Sequence, residues 1–236
     1  MEDSCNPTKR GDAVITIENI NKIYNEKTDN PFHALKNINL KIAKGESVIL
    51  SGVSGSGKST LLAIIASLDK PSSGKVIVDK ELVSKLPDLH ASAYRAKSIG
   101  FIFQHFNLLE SLSVTENVIA PLIPSGLSMR EIEDRANQSM QTAGISHKAT
   151  QTIRELSGGE KQRCAIARAL VTDPKLIICD EPTANLDRDN SLKFIEILTR
   201  LNELGKTIIV ATHDPLFDSL PFVSRVVKME DGVIVG

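Results

Sequence analysis

Three short stretches of this chain carry residue types suited to phosphate chemistry. Gly52-Val53-Ser54-Gly55-Ser56-Gly57-Lys58-Ser59 satisfies G-x-x-x-x-G-K-[ST] in full. Glycines let the backbone curl so that successive N–H groups turn inward onto phosphate oxygens, and a following helix aims its positive end at the same anion. In such a loop Lys58 reaches the β- and γ-phosphates. The Ser59 hydroxyl ligates Mg²⁺, a hard cation that takes oxygen ligands. Gly52, Val53, Ser54, Gly55, Ser56, Gly57, Lys58, Ser59 and Thr60 are therefore the expected nucleotide-binding set.

The second stretch is Leu176-Ile177-Ile178-Cys179-Asp180-Glu181. An apolar strand ending in carboxylates places them at the ligand edge of a parallel sheet. Asp180 is expected to hold the Mg²⁺ hydration shell and Glu181 to polarise an attacking water. His213, at the end of an expected strand Thr207–Thr212, becomes a candidate γ-phosphate sensor. Gln104, ending an expected strand from Ile99, has an amide that could reach Mg²⁺ or the water. A lone His or Gln carries little weight; these two gain it from sharing an edge with Lys58 and Glu181. The third stretch is Leu156-Ser157-Gly158-Gly159-Glu160, in which Ser157 and Glu160 are spaced as a capping box. A capped, glycine-rich helix start is a second anion site.

The elements that must position these groups follow from hydrophobic patterning. Val14–Ile17 begins a β-rich segment interrupted by a turn at Asn25–Pro31. Ser47–Leu50 runs into the phosphate loop, Leu61–Leu68 reads as a buried helix, and Lys75–Asp79 and Ile99–Gln104 read as strands. Ser128 and Glu131 form another capping box, ahead of Ile132, Ala136, Met140 and Ala143 at helical spacing, with Gly144 as a stop. Leu192, Ile195, Leu198 and Leu201 form one helix face ending at Gly205, and Asp231-Gly232 joins a terminal hairpin. Short apolar strands alternating with helices imply a mostly parallel sheet covered on both faces.

Composition narrows the function classes. The 236 residues carry a formal net charge of −1 with no Trp and 4% aromatics, so neither a basic field nor stacking platforms argue for nucleic acid. No apolar run approaches the roughly 18–20 residues that span a bilayer. The acidic, polar N-terminus argues against a signal peptide. Cys5, Cys164 and Cys179 have no metal-like spacing and read as reduced thiols, the latter two buried. Nothing resembles the G-x-G-x-x-G of NAD-binding loops.

Taken in order, the motifs resemble the ATP-binding subunit of an ABC transporter over about Val14–Val235: Walker A at Gly52–Ser59, Q-loop at Gln104, signature at Leu156–Glu160, Walker B at Leu176–Asp180, catalytic Glu181, D-loop Ala184–Asp187 and H-loop His213. Tyr24 looks like the aromatic that stacks on adenine, or else packs in a strand. Glu160 stands where many members have Gln. With Gln162-Arg163, Phe101–Gln104 and Glu181–Asp187, it is similar to the lipoprotein-release, macrolide-export and FtsE-like branch. The resemblance implies an α/β P-loop NTPase (RecA-like) core with a mostly parallel sheet, an antiparallel β subdomain and an inserted helical subdomain. The expected division is a core at about 13–104 and 166–236, helices at about 105–165, and a flexible N-terminus at 1–12.

It further implies an ATPase using ATP and Mg²⁺, with Lys58, Gln104, Glu181 and His213 as catalytic residues and Ser59, Gln104 and Asp180 at the metal. Ser157, Gly158, Gly159, Glu160 and Asp187 would serve the nucleotide held by a second copy. Separate permease subunits would place the protein peripherally on the cytoplasmic face of a membrane, docked in a groove that Phe106–Leu109 would help to line. A scaffold or signalling ATPase shares all these motifs. Repair or translation ATPases usually carry two cassettes or a long coiled coil, neither of which is seen in the sequence.

Overall fold

The computed structural model describes residues 13–218 and 220–235. The expectations for residues 1–12, Cys5 included, lie outside them. The chain opens with two long antiparallel strands, β1 (Ala13–Tyr24) and β2 (Phe32–Ala43), joined by the expected turn, and then β3 (Ser47–Ser51) leads into the phosphate loop and α1 (Lys58–Ile65). Next come β4 (Ser73–Val78), β5 (Glu81–Leu82), α2 (Asp88–Ser98) and β6 (Ile99–Ile102). A helical stretch holds α3 (Val114–Ile119), α4 (Met129–Thr142) and α5 (Gly158–Leu170). The chain then runs through β7 (Leu176–Asp180), α6 (Arg188–Glu203), β8 (Thr207–Thr212), β9 (Arg225–Glu230) and β10 (Val233–Ile234).

The strands form two sheets, an antiparallel one in the order β2-β1-β4-β5 and a six-stranded one in the order β10-β9-β3-β8-β7-β6. In the second sheet all pairs from β9 to β6 are parallel and only β10 is antiparallel. The Asp231-Gly232 turn before β10 has two consecutive positive φ angles, 46° and 80°, as a tight two-residue hairpin of this twist requires.

The parallel sheet divides two apolar cores. Along β8, Ile208 and Val210 face one way and Ile209 and Ala211 the other, and all four are fully buried. One face packs on α1 and the antiparallel sheet. The other packs on α3–α6. This two-sided burial explains why the central strands read as continuous apolar runs. Cys164 and Cys179 are free and buried, and burial pushes the Cys164 thiol up to about 12, so both behave as small apolar side chains.

Several boundaries differ from the sequence reading. The helix after the phosphate loop starts at Lys58 and stops at Ile65, because Ser67 turns left-handed (φ 53°) and leaves Leu68 on the surface. β6 ends at Ile102, so Gln104 lies two residues past the strand. α5 continues unbroken from Gly158 to Leu170, across position 165. On α6, Leu192 is 43% exposed, and the buried face is instead Phe194, Ile195, Leu198 and Leu201. Leu198→Ala should therefore cost about 2–5 kcal/mol of unfolding free energy, as in other buried cores. Leu192→Ala should stay within about 0.5 kcal/mol. Chemical denaturation of both variants checks the assignment of the face.

Candidate functional site

The phosphate loop joins β3 to α1 and is shaped from behind. Gly57, at the N-cap of α1, has φ 99°, and a Cβ there would stand 2.7 Å from the Ala34 carbonyl oxygen and 2.8 Å from Leu35. The terminal hairpin supplies more of this wall: the Gly232 N–H donates to Ser56 O at 3.2 Å, and Lys36 N–H donates to Gly232 O at 2.7 Å. The first N–H groups of α1 have no acceptor within the helix.

Lys58 is 5% exposed. Its ammonium donates to Gly52 O (2.7 Å) and Val53 O (3.1 Å) and lies 3.6 Å from Glu181 Oε1. Glu181 Oε2 lies 3.0 Å from His213 Nδ1 and accepts from the His213 backbone N–H at 3.4 Å. Glu181 itself has φ 43°, and its N–H donates to Ala211 O at 2.8 Å. A left-handed non-glycine residue stores roughly 1–3 kcal/mol of strain, typical of residues whose position serves chemistry. The cleft beside it is lined by Glu181, Thr183, Ala184, His213, Asp214 and Pro215.

Ser59 Oγ donates to Asp180 Oδ1 at 2.8 Å. Burial raises the Asp180 carboxyl above its usual range; the Ser59 hydrogen bond opposes this, Glu181 adds to it and Lys58 opposes it. A hydroxyl and a partly desolvated carboxylate side by side suit a magnesium ion. No cluster of three or more His, Cys, Asp or Glu occurs among the described residues. A magnesium ion keeps waters and shares substrate phosphates rather than filling a protein cage. Ser56 Oγ is buried without a partner, a further polar atom turned into the loop.

Tyr24 closes β1 and is 37% exposed, so it is not a core aromatic. Its hydroxyl donates to Asp69 Oδ2 at 2.9 Å and meets the Thr60 side chain, while Lys22 Nζ sits 4.7 Å from the ring centre. Burial alone would raise Asp69, but bonds from Lys22, Tyr24 and the Lys70 N–H outweigh it and hold the carboxyl below its usual range. The sequence reading named Tyr24 and missed Lys22 and Asp69, which fix its ring. Lys22 is two residues before Tyr24 on the same strand, a local spacing left unused, whereas Asp69 lies beyond α1 with no local pattern to connect it.

Not every expected residue is brought to this centre. Ser157–Glu160 opens α5 as the expected capping box: Ser157 N–H and Oγ donate to Glu160 Oε2 at 2.8 and 2.9 Å. Those bonds, the Ser157 N–H first, hold Glu160 below the usual range against burial, with Lys148 helping from 3.3 Å. No hydrogen bond among the described residues joins this segment to the phosphate loop. It rests instead on the loop after Glu181 and the first turn of α6. A Cβ at Gly159 would stand 2.5 Å from Asn190 Oδ1, and Gly158 faces the Asn185 carbonyl. Asp187 is likewise committed locally, capping α6 through Asn190 N–H and Nδ2, both at 2.8 Å. Gln104 stands just past β6, with its carbonyl accepting from Asn185 Nδ2 at 2.8 Å. Asn190 was also missed in the sequence; the Asp187-x-x-Asn190 spacing is its only local signal.

Residues 35–184 match the family described as ABC transporter. The chain is 41% identical to the lipoprotein-releasing system ATP-binding protein LolD of Pseudoalteromonas translucida, over 94% of each chain. It is 44% identical to the macrolide export ATP-binding/permease protein MacB of Campylobacter jejuni, over 85% of this chain and 31% of that one. The dimeric ATP-binding cassette MJ0796, solved in a post-hydrolysis state with ADP and Pi, is similar with a TM-score of 0.87 at 40% identity, over 94% of this chain and 97% of that one.

A P-loop cassette on a parallel sheet, with carboxylates at the strand tips, defines a nucleotide-hydrolysing motor domain. The chain belongs to the ABC transporter ATP-binding family and is an ATPase.

The Gly159–Asn190 seat makes a specific prediction. Gly159→Ala should push Asn190 off Asp187 and Arg163, costing about 1 kcal/mol, and Asn190→Ala should cost a similar amount. The double variant should cost less than the sum, because both changes remove the same bonds. Thermal unfolding of the three variants measures this.

Proposed function

We propose that the chain is the ATP-driven motor of a membrane transporter, working as a head-to-tail pair of copies. Each ATP would lie between Gly52–Thr60 of one copy and Ser157–Glu160 of the other. One observation carries this reading. A single copy holds two anion-binding helix starts, on α1 and α5, without any hydrogen bond between them, so a second copy is the simplest way to bring them onto one nucleotide. The dimeric MJ0796 cassette with ADP and Pi supports it.

Within each site Lys58 would neutralise the β- and γ-phosphates while the α1 N–H groups hold their oxygens. Ser59, Asp180 and Gln104 would hold Mg²⁺, which when bound supplies charge neutralisation of the phosphates. Glu181 would accept a hydrogen bond from the attacking water, with its second oxygen held by His213, which would sense the γ-phosphate. Tyr24 would stack on adenine, and Asp187 would belong to the shared interface. ATP then favours the closed pair, and hydrolysis removes the contact that favours it.

The work would be delivered to a separate permease at the cytoplasmic face of a membrane. No helix among the described residues is long and apolar enough to cross one. A groove lined by Leu89, Ala93, Ala96, Pro121, Leu122 and Leu127 runs between α2 and the segment after α3, with Leu89 81% exposed. Phe106–Leu109 does not line it; Leu108 packs on the core instead. The MacB relative, named as an ATP-binding and permease protein, supports a permease as the occupant. The LolD and MacB likenesses favour export or lipoprotein release as the task.

Glu181→Gln should bind ATP as the unmodified chain does and lose turnover by about 10²–10⁴-fold. Unchanged turnover would remove Glu181 from its role. Light scattering should show an ATP-dependent dimer in that variant. Ser157→Arg and Lys58→Ala chains should each fail to form it alone, while their mixture restores one intact shared site. A mixture no better than either chain contradicts the shared-site arrangement.

A further inference from the structure

Arg168 is the most conspicuous charged group without a part in the chemistry above. It lies near the end of α5, the helix that begins at the signature. Burial pulls its guanidinium pKa down, so the charge needs oxygen partners. Its two terminal nitrogens donate to two successive carbonyls, those of Asn107 and Phe106, each at 2.5 Å. Both residues have left-handed backbones, φ 49° and 59°, which L-residues other than Gly seldom adopt. A planar two-pronged donor suits this pair of carbonyls, and a lysine ammonium does not reproduce it.

The rest of the segment is held as firmly. Asn117, 1% exposed, accepts from Leu109 N–H at 2.7 Å and donates to the carbonyls of Leu109 and Ser113, both at 3.0 Å. Residues 106–113 belong to no helix or strand, yet they are bolted to α5 and α3. Gln104 is held on its other side, through its carbonyl, by Asn185. Between these two anchors the chain makes a tight turn, with Phe106 N–H donating to Phe103 O at 3.1 Å and Asn107 N–H to His105 O at 2.6 Å.

Building on the reading of Gln104 and the signature given above, we propose that Arg168 is a positioning residue for hydrolysis. It makes the segment after Gln104 move as part of α5. A shift of Ser157–Glu160 onto the partner's nucleotide is thereby carried down the helix and sets Gln104 at the metal and water.

The test uses the exposed Asn107, whose replacement leaves the core untouched. Asn107→Val keeps Arg168 but disfavours the left-handed backbone, whereas Asn107→Gly accepts it. Arg168→Lys keeps the charge but loses the two-pronged grip. In Arg168→Lys and Asn107→Val, kcat should fall by about 10–100-fold, the cost of a small misplacement of a catalytic group, with KM for ATP unchanged. Amide exchange at 106–109 should quicken, while binding of a fluorescent ATP analogue and ATP-driven dimerisation in the Glu181→Gln background persist. Asn107→Gly should keep the kcat of the unmodified chain.

Unchanged kcat in both loosened variants overturns the proposal. So does an equal loss in Asn107→Gly, or a fall in kcat matched by a fall in nucleotide binding and Tm, which would make Arg168 merely structural. If Arg168→Lys does not fold, the Asn107 pair decides. Failure of the shared-site reading is seen separately, as absence of an ATP-driven dimer in Glu181→Gln with Arg168 and Asn107 intact; exchange at 106–109 still reports whether Arg168 holds the loop.

Discussion

A lysine ammonium that is 5% exposed has lost most of its hydration and must be given oxygen atoms in return. For Lys58 those atoms come from separate strand tips. Gly52 and Val53 follow β3 and Glu181 follows β7; His213, which follows β8, steadies Glu181. They meet because the strands are adjacent and in parallel register, with Ser51 opposite Thr212 and Asp180 opposite Ala211. A slip of one residue in either pairing would turn every side chain of a strand to the other face and withdraw Glu181 from the lysine. The two-sided apolar burial of the sheet resists such a slip, so the packing of the cores also sets the level of the charged groups at the edge.

The same edge shows how local and distant determinants divide. The phosphate loop was legible because each residue's task is set by its own backbone or by the next turn of helix. The capping boxes at Ser128 and Ser157 were legible for the same reason. The strands were legible as apolar runs because both faces of the sheet are covered. Leu192 misled because α6 has more apolar residues than its buried face needs, and the choice between Leu192 and Phe194 is made by what packs opposite. β6 ends at Ile102 because its pairing with β7 ends opposite Cys179. Strand propensity continues through Phe103, and only the partner strand shows where to stop.

Side chains that tie distant segments together were not legible. Arg168 to Phe106, Asn185 to Gln104, and Asp69 to Tyr24 are pairings between different elements, and one sequence holds no trace of them. Asp187 and Glu160 illustrate the converse. In a single copy both carboxylates are occupied as helix caps, so the acidic side chain accounts for local stability first. Any part in a shared site comes from where the cap holds the backbone.

The wall behind the phosphate loop has a consequence for how the chain is made. The loop at Gly52–Ser59 leaves the ribosome well before Gly232, which contacts Ser56 and Lys36. β8 and β9, which flank β3 on either side, also come later in the chain. The nascent loop therefore lacks the surroundings that give it shape until those strands and Gly232 have been made, and its closure waits on contacts of long sequence separation.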